Sequence, residues 1–229
     1  MKQDPASSTK ANSPPEHLSK VLLCGPSRAS VSGVATHLNQ LFGSALGTKY
    51  NLVQFQVGSE GRVEGSAARL LRLLTSPFSL LSKVLSSKPD IVHLNSSLEP
   101  KAYWRDLAYL IVSKAMGCKV VYQVHGGRLP SKFLGPSAMA QTFLRWSLNL
   151  PDALVLLAET ERLAYHNFKS GRRVVVIPNA VAQDGGVKTK NFDVLPVRLG
   201  YIGRLAHDKG VLETIHALKI LIQSGFDHI

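Results

Sequence analysis

Only two cysteines and fifteen acidic residues occur among the 229 residues, and no apolar run approaches the roughly twenty residues that cross a bilayer. Each scarcity excludes something. Cys24 and Cys118 are too few for a disulfide-built scaffold and lack the spacing of a metal or redox pair. Each lies beside a predicted strand, which suits buried thiols in a reducing cytosol. Aromatic residues make up 7% of the chain and are not interleaved with its cations, and no helix-turn-helix, zinc or RNA-binding signature occurs. Nucleic acid is therefore not the expected partner. Two phosphate-binding fingerprints are also missing. The loop Gly25-Pro26-Ser27-Arg28 and onward to Gly33 has neither the Gly-x-Gly-x-x-Gly of a dinucleotide site nor the Gly-Lys-Ser/Thr ending of a P-loop, which argues against an ordinary nucleotide-binding oxidoreductase.

What is abundant is positive charge. Twenty-seven Lys and Arg give a formal charge of +12. Between Arg62 and Arg145 twelve of them face only four acids, Glu64, Asp90, Glu99 and Asp106. Such a field favours anionic ligands or acidic lipid headgroups. Residues 1–17 are rich in Ser, Pro, Lys and Asn without an apolar stretch and read as a disordered leader, so the expected location is cytoplasmic. The segment Ser66 to Lys88 carries Arg69, Arg72, Lys83 and Lys88 among many leucines and no acid. Two readings stay open for it: peripheral contact with an anionic inner membrane face, or a helix packed on a sheet with its cations in solvent.

Runs rich in Val, Ile and Leu alternate with segments of helical period, the pattern of a parallel sheet covered on both faces. Strands are predicted over Lys20 to Cys24, Tyr50 to Val57, Ile91 to Asn95, Lys119 to His125, Ala153 to Leu157, Val174 to Ile177 and Arg198 to Ile202. The alternating second strand suits an edge, and the wholly apolar Val174 to Ile177 suits the sheet centre. Helices are expected at Gly33 to Phe42, Ser66 to Ser86, Tyr103 to Met116, Ser137 to Leu148, Thr160 to Phe168 and Val211 to Gln223, with Pro77 dividing the second into two pieces. Gly117 and Gly171 stand where C-terminal caps belong. This divides the chain into the leader, a domain over 18–182, a linker over 183–195 and the start of a second domain over 196–229.

Ligands of open parallel sheets bind beyond the C-terminal strand ends, so the loops there hold the candidate site residues. Gly33 opens a helix after the first strand, either as a turn residue or to admit close backbone approach to a ligand. Val124-His125-Gly126-Gly127-Arg128 puts an imidazole beside two residues without side chains. His125 is either structural or a partner for a sugar hydroxyl or a developing charge, and the glycines are expected to leave substrate room. Glu159-Thr160-Glu161 starts a helix, where capping competes with ligand contact. Pro178-Asn179 terminates the sixth strand. Near the end, Gly203-Arg204-Leu205 with Lys209-Gly210 sets a guanidinium and an ammonium ahead of a helix N-terminus. That is either a diphosphate site or a turn with two solvated cations.

Together these segments resemble the retaining GT-B glycosyltransferases of family 4 (glycosyltransferase group 1), enzymes that move a sugar from a nucleotide-sugar donor. The resemblance runs from about Lys20 to Ser224. It is carried in order by Ser32-Gly33-Val34, Pro89-Asp90-Ile91-Val92-His93, Val124-His125-Gly126, Val176-Ile177-Pro178-Asn179-Ala180 and Gly203-Arg204-Leu205 with Lys209-Gly210. It implies an α/β fold of GT-B type: an N-terminal Rossmann-like parallel sheet, and the first strand-helix unit of a second such domain.

By that resemblance Arg204 and Lys209 bind the donor diphosphate. His125 lies near the reacting sugar as the catalytic candidate, and Gly33 approaches the donor phosphate or the acceptor. Gly126, Arg128 and Glu159 are acceptor-side candidates. No metal or cofactor is implied beyond the nucleotide-sugar substrate, and the acceptor would be a glycan or a lipid-linked sugar of a cell-surface polysaccharide or glycolipid. Since the family's Glu-x7-Glu motif does not occur, the chain alone is expected to have little transferase activity. The alternative is a non-catalytic acceptor-binding or partner subunit, completed by a separate chain carrying the second domain.

Overall fold

The computed structural model describes residues 18–59, 63–168, 173–180, 196, 198–203, 205 and 209–226. Val21 to Cys24, four apolar residues in a row, form a strand buried on both faces, β1 (Lys20–Gly25). It pairs in parallel with β2 (Asn51–Gln56) on one side and with β3 (Ile91–Leu98) on the other. The sheet continues through β4 (Lys119–Gly127), β5 (Ala153–Leu156) and β6 (Arg173–Val176), giving the order β2-β1-β3-β4-β5-β6 with every pair parallel. Strand order reverses between β1 and β3, and a crevice opens at such a switch point beyond the strand ends.

The connections are α1 (Gly33–Gly43), the short α2 (Leu46–Lys49), α3 (Ser66–Ser87), α4 (Pro100–Ala115), the short α5 (Pro130–Phe133), α6 (Ala138–Asn149) and α7 (Glu159–Tyr165). Alternation along the strands sends Leu22, Val92, Leu94, Val120, Tyr122, Leu154 and their neighbours to one face, where Leu80 and Val84 of α3, Leu107 and Leu110 of α4 and Leu144 and Leu148 of α6 complete the main core. On the other face Leu38 of α1 packs with Val21 and Leu23. Helices thus cover both faces, and the expected α/β class with a parallel sheet is the one found.

Three sequence expectations are corrected. The helix over Ser66–Ser87 is continuous through Pro77. Pro77 has no N–H for the Leu73 carbonyl, and the Ser76 hydroxyl donates to that carbonyl instead, at 3.0 Å. Val174 to Ile177 does not form a central strand, because β6 ends the sheet and pairs only with β5 among the described residues. Its apolar side chains are half-buried from the sheet faces, not by flanking strands. No strand forms over 198–202 among the described residues, which hold no neighbour to complete a ladder there. Elsewhere the Tyr50–Val57 strand does lie at the edge, and Gly117, at φ +76°, closes α4 with its N–H on the Lys114 carbonyl. Gly171 and the linker 183–195 lie outside the described residues.

Contacts divide the chain into Met1–Val181 and Ala182–Ile229. The second unit contains α8 (Val211–Gln223), entered through Gly210 at φ +72°, and none of the helix is buried.

Candidate active site

At the switch point Asn95 of β3 reaches across to β1, its Nδ2 donating to the Cys24 carbonyl at 3.0 Å. A carbonyl oxygen can only accept, so this bond orients the carboxamide and leaves Asn95 Oδ1 as an acceptor. His125 Nε2 of β4 sits 2.9 Å from that Oδ1. The proton therefore resides on Nε2, and Nδ1 keeps its lone pair with no partner among the described residues. Asn95 is buried and His125 half-buried.

Two further histidines surround His125. The ring of His37, on the inward face of α1, meets it edge-on at 4.8 Å between centroids. His93, one pleat earlier on β3, shares a 3.0 Å hydrogen bond between its Nε2 and Gln123 Oε1. Burial lowers the pKa of all three. For His125 the value falls to about 3, with His37 and His93 adding to the effect of burial, and for His93 to about 4, with His37 adding to it. For His37 the Gln123 carboxamide partly offsets the shift. At neutral pH the cluster is uncharged, a set of hydrogen-bonding rings and not a cationic patch. His37 Nε2 and Gln123 Nε2 are buried without a hydrogen-bond partner. Among the described residues no group of three His, Cys, Asp or Glu side chains could hold a metal ion.

The glycines after His125 serve different ends. At Gly126 (φ +98°) no atom among the described residues lies within 4 Å of where a side chain would start. Gly127 (φ +106°) leaves no substrate room, contrary to expectation, because a Cβ there would lie 2.7 to 2.9 Å from the backbone of Leu98. The next residue, Arg128, donates its backbone N–H to the Leu98 carbonyl and is exposed. Gly33 is the first residue of α1, behind the N-cap Ser32, whose hydroxyl accepts from Ala35 N–H. Among the described residues nothing would contact a Cβ at Gly33, so their packing does not require a glycine there. Since α1 also carries His37, the helix joins Gly33 and His125 in one neighbourhood.

Glu159 is not part of that cluster. It is exposed and ion-paired with Arg162 one turn along α7, while capping falls to Glu161, whose Oε2 accepts from Leu157 N–H at 2.8 Å. After β6, Ile177 N–H extends the ladder by one bond to Leu156, Pro178 ends it, and the Ala180 carbonyl accepts from Gln40 of α1 at 2.8 Å. In the second unit Arg204 lies outside the described residues. Lys209 immediately precedes the left-handed Gly210 at the start of α8, and its carbonyl accepts from the Tyr201 hydroxyl at 3.2 Å.

Sequence reading missed His37, Asn95 and Gln123. Each carried a faint signal: a polar residue in a stripe or strand otherwise apolar, within one turn or one pleat of the sheet's C-terminal edge. Comparison with known proteins adds the class. A family model described as a glycosyl transferase 4-like domain matches residues 46–180, more than half of the chain. The chain belongs to this glycosyl transferase 4-like family. No curated protein matches it in sequence. Among solved structures it is similar to Staphylococcus aureus MnaA with UDP, at 13% identity and a TM-score of 0.47 over 69% of this chain and 43% of that one. It is also similar to a protein described as a UDP-N-acetylglucosamine 2-epimerase from Listeria monocytogenes, at 10% identity and a TM-score of 0.41 over 66% and 41%. The chain thus spans less than half the length of these proteins.

Proposed function

We propose that this glycosyltransferase 4-like chain is the acceptor-side part of a retaining GT-B transferase, moving a sugar from a nucleoside-diphosphate sugar to a glycan or lipid-linked acceptor in cell-surface polysaccharide or glycolipid synthesis. The observation that carries the reading is the hydrogen-bonded pair Asn95–His125 at the switch point of the sheet. A neutral imidazole whose Nε2 proton is committed to Asn95 offers Nδ1 as an acceptor for a sugar hydroxyl, which orients the sugar without adding charge. Its low proton affinity makes His125 a poor general base, so its role is to hold the reacting sugar. Gly33 at the start of α1 gives a ligand access to the first backbone N–H groups of that helix. Arg204 and Lys209 are assigned to the donor diphosphate, and Gly126 and Arg128 to the acceptor side. No metal is needed in this scheme, because cationic side chains can balance the leaving diphosphate.

A second reading is favoured by α8, an apolar helix with no buried residue. In it the chain is a non-catalytic acceptor-binding subunit whose second unit docks on a separate chain. One experiment separates the two. Because the chain alone is expected to transfer little, it is fused in frame to the donor-binding domain of a family 4 glycosyltransferase. The fusion is incubated with UDP-, GDP- and dTDP-sugars and lipid-linked acceptors, and nucleoside-diphosphate release and acceptor binding are both measured. Release that falls by about a hundredfold or more in His125→Ala supports the transferase. Acceptor binding without release favours the subunit, and neither activity overturns both.

A further inference from the structure

The outer surface of α3, α4 and α6 repeats one pattern three times. On α3, Ser76, Leu80 and Val84 face the core, yet Leu71, Phe78 and Leu85 recur every seven residues on the opposite, solvent side. Phe78 is 71% exposed. The same interval sets Trp104 and Ile111 outward on α4, and Met139 and Trp146 outward on α6. The three helices are neighbours. Leu80 and Val84 of α3 share the main core with Leu107 and Leu110 of α4, and Trp104 connects through Phe143 to Trp146 with ring centroids 5.7 and 5.3 Å apart. An apolar surface spread over three helices is more than the scattered hydrophobics of an ordinary protein exterior.

Its charge has one sign. Across α3, α4 and α6 the sole acidic side chain is Asp106, which is buried and bound by Arg105. The exposed cations include Arg69, Lys101 and Arg145. Glu64, just ahead of α3, is paired with Arg72, and the exposed Glu99 stands at the N-cap position ahead of α4, where its side chain makes no capping hydrogen bond. Two copies of this face would bring like charges together. Leucine, phenylalanine and tryptophan bordered by Lys and Arg match the headgroup region of an acidic bilayer, where indole rings sit between chains and water. No helix among the described residues is long and apolar enough to cross a membrane, so the contact is with its surface.

We propose that the α3–α4–α6 face docks on an anionic lipid bilayer. The proposal does not depend on sugar transfer, and it enlarges the contact from the single segment Ser66 to Lys88 to a three-helix surface centred on Trp104 and Trp146. Those are the chain's only two tryptophans, so its fluorescence reports directly on this face.

The full chain is mixed with phosphatidylcholine vesicles, with or without about 30% phosphatidylglycerol, and with lipids brominated on their acyl chains. Flotation with the acidic vesicles only, and bromine quenching of tryptophan emission, are expected. Binding should fall by more than about tenfold on going to about 0.5 M salt, and similarly in Arg69→Glu/Lys101→Glu. The salt series needs no variant, and both substituted side chains are exposed, so an unchanged circular dichroism spectrum certifies the fold. Equal binding to neutral vesicles, binding indifferent to salt and charge reversal, or no flotation would overturn the proposal. So would a stable dimer whose tryptophans stay shielded from brominated lipid, since that would make the face a protein interface.

Discussion

Gly126 and Gly127 follow one another at the end of β4, both at positive φ, yet the chain constrains them differently. Alanine at either position pays the left-handed backbone cost of about 1 to 2 kcal/mol. At Gly127 the new methyl must also displace the backbone of Leu98, which a flexible side chain could yield to but a paired strand cannot. Gly127→Ala should therefore destabilise by at least about 2 kcal/mol more than Gly126→Ala in urea titrations, by analogy with other overpacked sites. Equal losses would mean that β3 and β4 are not locked together at Leu98 and Gly127. The consequence for the site is direct. This junction fixes the strand that holds His125, while Gly126 alone retains space beside it.

At the scale of the element, α3 tests how a helix tolerates an internal proline. Ordinarily the ring removes a hydrogen bond and crowds the preceding turn, at about 3 kcal/mol. Here the orphaned Leu73 carbonyl accepts from Ser76, which also faces the Tyr109 hydroxyl. Ser76→Ala should cost about 1 to 2 kcal/mol. In a Pro77→Ala background residue 77 regains an N–H for Leu73, so the cost of losing the hydroxyl should drop to the part owed to Tyr109. A double-mutant cycle by chemical denaturation measures the difference, and complete additivity would dismiss the compensation. The sequence displayed both Ser76 and Pro77, but nothing in periodicity told that the serine would bond back three residues. The same limit explains β6. Four apolar residues announce burial without stating whether neighbouring strands or flanking layers supply it, whereas the alternation in β2 did mark an edge. Helix α8 was legible to the residue because its apolar spacing and its entry glycine agree. Of the site, His125 was visible from its strand end and adjacent glycines. Asn95 and His37 were not, since their roles arise from the β1–β3 crossing and the packing of α1, which are long-range facts.

For the molecule as a whole, the three neutral histidines link stability to pH. Each has a folded pKa below its ordinary value of 6.5, with His93 at about 4 and His125 at about 3. Between those values and 6.5 the unfolded chain binds protons that the folded chain refuses, so stability falls as pH falls through that window and is fully present above it. Each proton contributes a slope of at most about 1.4 kcal/mol per pH unit. Asp106 acts in the opposite sense, because burial raises its carboxyl and the folded state takes up that proton more readily. Asp152, lowered by Lys114 and the Val120 N–H despite burial, adds to the loss only near and below its ordinary value of 3.8. From pH 7.5 to about 4.5 the histidines should dominate. Urea midpoints should thus decline steadily over that range, and His93→Gln should flatten the decline by removing one of the three groups. A midpoint that stays level from pH 7.5 to 4.5 would contradict a buried neutral cluster, and with it the assignment of His125 as an uncharged hydrogen-bonding group.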